Sequence, residues 1–244
     1  MQKLHILAIA AHPDDVELSC AGTIINHTRK GQAVGILDLT QGELGTRGTP
    51  QLRYTEAMAA AKVLGVTVRE NAMMDDGFFR NDKEHQLRLI HFIRKYRPEI
   101  VIANALSDRH PDHGRGGRLI ADACFYSGLS KVATEFEGTP QDPWRPKRVF
   151  HMTQDRSIEP TFLVDISDSF DKKMESIRCY GSQFHDPNSS EPITYIATSD
   201  FLKHLESRDA LLGKRIGTRY AEGFICENTP GITDLDSLLL PLIA

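Results

Sequence analysis

One pattern occurs twice in this chain and narrows what it can fold into. An apolar run from Leu4 to Ala11 ends in His12-Pro13-Asp14-Asp15, and a helix-like segment from Asp14 to Lys30 follows. A second strand-like run, Ile100 to Asn104, leads into Ser107-Asp108-Arg109-His110-Pro111-Asp112-His113 and then a helix-like segment from Arg115 to Ser127. Both His-Pro-Asp turns therefore sit where a strand gives way to a helix, the edge at which open α/β sheets bind ligands. Proline fixes its own φ and suits a first helical turn, so Pro13 is expected to open the first helix. Aspartates at such junctions commonly cap helices and complement the helix dipole. Two histidine-bearing copies at two strand ends argue for more than capping.

His12 and Asp15 are spaced to grip one metal ion from the same side of the turn, and His113 supplies a third donor. Two histidines and one aspartate with an open position fit a catalytic zinc, and suit Fe(II) or another divalent ion as well. Asp14 points elsewhere and stays free for proton transfer.

These residues resemble the LmbE/PIG-L family of zinc-dependent N-acetylglucosamine deacetylases. The similarity extends through Asp38-Leu39-Thr40, the helix bearing Arg53, Ser182-Gln183-Phe184 and Tyr220-Ala221-Glu222-Gly223-Phe224. Order and length look most like the bacillithiol-pathway branch, which acts on N-acetylglucosaminyl malate; inositol conjugates and chitooligosaccharides are the alternative substrates. The resemblance implies His12, Asp15 and His113 as zinc ligands, Asp14 as general base, and a homo-oligomer, trimer or hexamer. A zinc ion lowers the pKa of bound water toward ~7 and polarises a carbonyl. His110 is the candidate oxyanion donor, as imidazolium, or the general acid. Asp112 is expected to orient a histidine. Arg53 and Arg109 stand near the strand-end face and could fork onto the malate carboxylates, or form ordinary ion pairs. A metal phosphoesterase and a non-catalytic sugar- or nucleotide-binding module are the competing classes. The first often needs two metals, and only one three-ligand set can be assembled; the second has no use for a spare base.

The 244 residues, 40% hydrophobic and 25% charged, suit one α/β domain spanning 1–244. A net charge of −4 offers no footprint for nucleic acid, and no apolar run reaches the ~20 residues of a membrane span. The Leu4–Ala11 run reads as the first strand rather than a signal peptide. Cys20, Cys124, Cys179 and Cys226 are scattered, which suits free thiols in a reducing, cytoplasmic setting.

Further strands are expected at 33–40, 66–69, 149–153 and 161–166, with helices at 51–64, 83–96, 167–180 and 199–214. The alternation predicts a Rossmann-like, doubly wound, mostly parallel sheet flanked by helices, with the active site at the strand C-termini. Gly42, Gly45 and Gly48 lack dinucleotide or P-loop spacing. They mark a mobile loop over the sheet end, from which Glu43 and Arg47 could reach a ligand, with flexible surface charge as the default reading. Asp38 is either a partner behind the metal ligands or a rim residue. His85 and His91 read as surface or packing residues. Residues 131–146 form a loop or excursion suited to an oligomer contact, and Tyr220 to Ile225 is expected on the active-site side.

Overall fold

The computed structural model describes residues 3–240; the ends of the expected 1–244 domain, residues 1–2 and 241–244, lie outside the described residues. Nine strands and six α-helices follow in chain order: β1 (Ile6–Ala10), α1 (Asp15–Arg29), β2 (Val34–Asp38), α2 (Pro50–Leu64), β3 (Val68–Asn71), α3 (Lys83–Tyr96), β4 (Ile100–Ala103), α4 (Pro111–Tyr126), β5 (Glu135–Phe136), β6 (Thr139–Pro140), β7 (Arg148–Met152), β8 (Phe162–Asp165), α5 (Phe170–Arg178), α6 (Phe201–Arg215) and β9 (Ala221–Ile225). Seven strands form one sheet in the order β3-β2-β1-β4-β7-β9-β8. All its pairings are parallel except those of β9, which runs antiparallel to both neighbours.

Alternation along β1 explains the layers. Leu7 and Ile9 pack with Leu37, Val101, Leu89, Ile93, Leu119 and Ile120 on the α3/α4 face. Ile6, Ala8 and Ala10 pack with Val16, Ile24, Ile36 and Ile102 on the α1 face. A strand buried on both faces reads as a continuous apolar run, as β1 and β2 do. The chain leaves β1 for β2 on one side and reaches β4 on the other, so strand order reverses between β1 and β4. That switch point opens the crevice into which both His-Pro-Asp turns project.

Three expectations are corrected. The third strand begins at Val68 rather than 66, after the Thr67 N–H bonds to Val34 O. The segment expected to return to the active-site side is instead β9, a strand inside the sheet, with Glu222 buried beneath α1. There the Glu222 carboxylate accepts from Gly22 N (2.9 Å) and Thr23 N (2.8 Å). Those N–H groups are freed where α1 breaks its helical dihedrals at Cys20, so the carboxylate caps the second half of the helix. Lys173 Nζ completes the cluster, 2.9 Å from Glu222 and 2.6 Å from Asp209, with all three side chains fully buried. Third, Arg47 is not loose surface charge: it is buried and donates to the carbonyls of Ser182, Phe184 and Pro192, pinning the 182–192 segment.

The 131–146 excursion carries the β5–β6 hairpin and lies against α3 of its own chain. Arg94 donates to Ser127, Leu129 and Val132 carbonyls, and the hairpin's Glu135 carbonyl accepts from His91. His85 sits at the surface beside Asp82. Cys20 and Cys124 are buried and all four cysteines are free. No helix among the described residues is long and apolar enough to cross a membrane.

Candidate active site

Asp15 is the hub of the crevice. One of its oxygens lies 3.0 Å from His113 Nε2, the other 3.6 Å from His12 Nδ1. Two carboxamides from neighbouring strand ends hold it: Asn104 Nδ2 and Gln154 Nε2 each donate at 3.2 Å. Asn104 also accepts from Ala11 N (2.8 Å) and donates to Gln154 (3.0 Å), tying the ends of β1, β4 and β7 together behind the carboxylate.

Each histidine that faces Asp15 turns its other nitrogen to a carboxylate. His113 Nδ1 lies 2.5 Å from Asp108, and His12 Nε2 lies 3.1 Å from Asp76 and 3.4 Å from Asp112. Asp112 is fixed in turn by Gly77 N and Arg115. Burial works against a charge on either ring. For His12 the hydrogen bonds from Asp112, Asp15 and Asp76 outweigh it and raise the pKa well above the usual value. For His113, Asp15 and Asp108 raise it to about 9. Imidazoles oriented by carboxylates on their far nitrogens are the donor chemistry of a divalent-metal centre. The nitrogens of His12, His110 and His113 lie within 4.8 Å of one another, as do donor atoms of His12, Asp76 and Asp112.

Asp14 has the strained backbone. Pro13 does not open the helix; α1 begins at Asp15, and Asp14 caps it with φ 108°, a left-handed conformation rare outside glycine. This twist takes the Asp14 side chain away from the cap position, and it makes no capping bond. Its Oδ2 meets Arg53 Nη2 at 3.1 Å. Burial pushes the Asp14 carboxyl up to about 7, with Asp15 adding to the shift and Arg53 opposing it.

Arg53 is buried in the wall of the same crevice. Its terminal nitrogens bond Pro13 O, Gly42 O and Asp14, and only its Nε lacks a partner. His110 caps α4, its Nδ1 accepting from Asp112 N at 3.3 Å, so Nε2 carries the proton. Burial, helped by His12 and His113, lowers its pKa, and the expected imidazolium is corrected to a neutral imidazole. Arg109 lies at the cavity mouth, 3.4 Å from Asp155 and over the Tyr195 ring. Asp38 forms a buried two-pronged pair with Arg69, which also meets Glu17. That network buttresses α1 and does not touch the metal-ligand candidates.

Sequence reasoning missed Asp76, Asn104 and Gln154. Asp76 sits in the loop after β3 with no motif around it. The amides follow strands, and nothing in their spacing points at Asp15. Asp108 lay inside the second turn, five residues before the histidine it holds. The cavity, about 710 Å3, is lined by His12, Asp14, Asp15, Asp76, His110 and His113 at its inner end, with Tyr195 and Arg109 among its other walls.

The switch-point crevice of this α/β sheet thus holds a histidine–carboxylate cluster of the kind that can bind a divalent metal. Residues 7–124 match the family described as PIG-L, GlcNAc-PI de-N-acetylase. Diacetylchitobiose deacetylase of Thermococcus kodakarensis is 30% identical over 240 residues, covering 93% of this chain and 84% of that protein. This chain belongs to the PIG-L family. A 4-oxalmesaconate hydratase of Pseudomonas putida is also 30% identical, over 200 residues, covering 73% of this chain and 74% of that one. Among solved structures, the conserved protein TT1542 of Thermus thermophilus superposes with a TM-score of 0.84 at 33% identity, covering 94% of this chain and 97% of that one.

Proposed function

We propose that this protein is a divalent-metal-dependent N-deacetylase that hydrolyses the acetamide of an N-acetylglucosamine-bearing substrate and releases acetate. The observation that carries the reading is the convergence of His12 Nδ1 and His113 Nε2 on one carboxylate, Asp15, with the twisted Asp14 beside it. His12, Asp15 and His113 would hold the metal, with zinc the first candidate and Fe(II) the second. The bound ion would supply an acidified water and a polarised carbonyl.

The chain's own residues do the rest. Asp14 takes a proton at the oxygen that Arg53 leaves free and hands it to the departing amine; a carboxyl held near 7 suits both transfers. Neutral His110 donates from Nε2 to the oxygen on which charge develops. Asp108 fixes the His113 ring, and Asp112 with Asp76 fixes that of His12.

The malate conjugate remains the finer reading drawn from resemblance to the bacillithiol branch, but no free arginine pair supports it. Arg53 is engaged with Asp14, and Arg109 is paired with Asp155. Assembly as a homo-trimer or hexamer and a cytoplasmic location belong to the same proposal.

The hydratase relative makes addition of water to a carbon–carbon double bond the second reading. The test is acetate release from N-acetylglucosamine, N,N′-diacetylchitobiose and N-acetylglucosaminyl malate, using protein as purified, chelator-treated and zinc-restored. Loss with chelation and recovery with zinc on any of the three supports the proposal. Metal-loaded protein that releases no acetate but hydrates 4-oxalmesaconate overturns it.

A further inference from the structure

Between α5 and α6 the chain runs without regular structure across the mouth of the cavity, and Tyr195 sits on this strap. The ring is held from several sides. Its hydroxyl donates to Asp155 Oδ1 at 2.7 Å. The Arg109 guanidinium lies 4.2 Å from the ring centroid, and Phe201 meets the ring edge-on at 5.9 Å. Asp155 holds both partners, since its Oδ2 pairs with Arg109 Nε at 3.4 Å. Yet Tyr195 remains 53% exposed and lines the cavity. An aromatic ring locked in place with much of its surface bare is a preorganised apolar platform. It stands over Arg109, the chain neighbour of His110, and lines the same cavity as His110 and Asp14.

Charge around the platform narrows what it can hold. Four arginines line this cavity. Arg47 is engaged by three backbone carbonyls, and Arg208 by the carbonyls of Leu18 and Gln154 and by Asp209. Arg53 holds Asp14, and Arg109 meets Asp155 through Nε. Among the four, Arg109 alone keeps its terminal nitrogens without a hydrogen-bond partner among the described residues, and its guanidinium lies over the Tyr195 ring.

Resting on the deacetylase reading, we infer that Tyr195 is a specificity-determining residue whose ring stacks against a second, neutral sugar ring attached to the acetylated glucosamine. The substrate class is then a neutral oligosaccharide of N-acetylglucosamine; an aglycone with two carboxylates would find one open arginine fork here, that of Arg109. Pyranose rings present C–H faces that pack on aromatic surface, and burying that surface needs no charge partner.

The test is steady-state acetate release by Tyr195→Ala and Tyr195→Leu on N-acetylglucosamine, N,N′-diacetylchitobiose and N-acetylglucosaminyl malate. The expected result is a rise of roughly ten-fold in KM for the disaccharide with kcat retained, and little change on the monosaccharide. Tyr195→Phe, which keeps the ring and loses only the bond to Asp155, stays close to wild type. Equal losses on the mono- and disaccharide overturn the inference, as does a selective loss on the malate conjugate in Arg109→Ala. Titration calorimetry of N,N′-diacetylchitobiose into metal-loaded Asp14→Asn, with and without Tyr195→Ala, reads the stack without turnover. Weakened binding there supports the platform even where the deacetylase reading fails, and unchanged binding overturns it.

Discussion

The Asp108 carboxylate lies 2.5 Å from Nδ1 of His113, while Nε2 of the same ring lies 3.0 Å from Asp15. A carboxylate on the far nitrogen fixes the tautomer that leaves Nε2 as a lone-pair donor and strengthens it. Asp108 itself is held by the Arg156 N–H at 2.8 Å, so the ring is clamped through the backbone. Asp108→Asn keeps the shape and removes the charge. Metal affinity, measured by competition with a chromophoric chelator, is expected to fall roughly 10- to 100-fold, with the melting temperature of the metal-free protein little changed. Unaltered affinity would remove Asp108 from the metal centre.

Asp14 separates backbone strain from chemistry. At φ 108° an asparagine is better tolerated than other non-glycine residues. Asp14→Asn should therefore fold, bind metal at wild-type stoichiometry, and lose on the order of 10²- to 10⁴-fold in kcat. Asp14→Gly relieves the backbone strain but leaves the buried Arg53 guanidinium without its carboxylate, so it is expected to lose the same turnover with no gain in melting temperature. His113→Ala, by contrast, loses the metal. Full turnover in Asp14→Asn would sink the proton-transfer role.

Much of this site was legible in the sequence because its core is local. His12, Asp14 and Asp15 share one turn, His110, Asp112 and His113 another, and both turns follow apolar strands. What was not legible arrives through the fold. Asp76, Asn104 and Gln154 reach Asp15 or His12 from separate strand ends, by contacts 64 to 139 residues apart in sequence. Arg53 drew notice because a cation in the first turn of a helix opposes the dipole. The carboxylate it meets lies 39 residues earlier, out of reach of any local pattern. β9 was misplaced because its antiparallel insertion between β7 and β8 leaves no mark on a short strand-like run. Its Glu222 is recognisable as structural only once Lys173 and the break in α1 are seen beside it.

That buried triad makes a stability prediction. Lys173 Nζ, Asp209 and Glu222 have no exposure, and Glu222 also caps the helix that carries Asp15. Lys173→Met keeps much of the bulk but leaves two buried carboxylates without their cation. Removing one partner of such a cluster costs about 3–5 kcal/mol. Urea unfolding at neutral pH should show this as a lower midpoint with an unchanged slope. A loss below about 1 kcal/mol would mean the carboxylates are satisfied without the lysine.

His151 sits in β7 beneath the site, fully buried, its Nδ1 2.8 Å from Asn104 O and its Nε2 without a partner. Burial holds its pKa below the usual 6.5, so the folded protein keeps the ring neutral. Above pH 6.5 both folded and unfolded chains carry neutral imidazole, and the group adds no pH dependence. As pH falls below 6.5 the unfolded chain takes up a proton that the folded chain refuses, and stability drops by at most about 1.4 kcal/mol per pH unit until the folded pKa is reached. His151→Gln can still donate to Asn104 but cannot titrate. Urea unfolding of both proteins at pH 7 and pH 5 is expected to show a larger acid loss for wild type than for the variant. Identical losses would mean that the buried ring accepts the proton inside the fold.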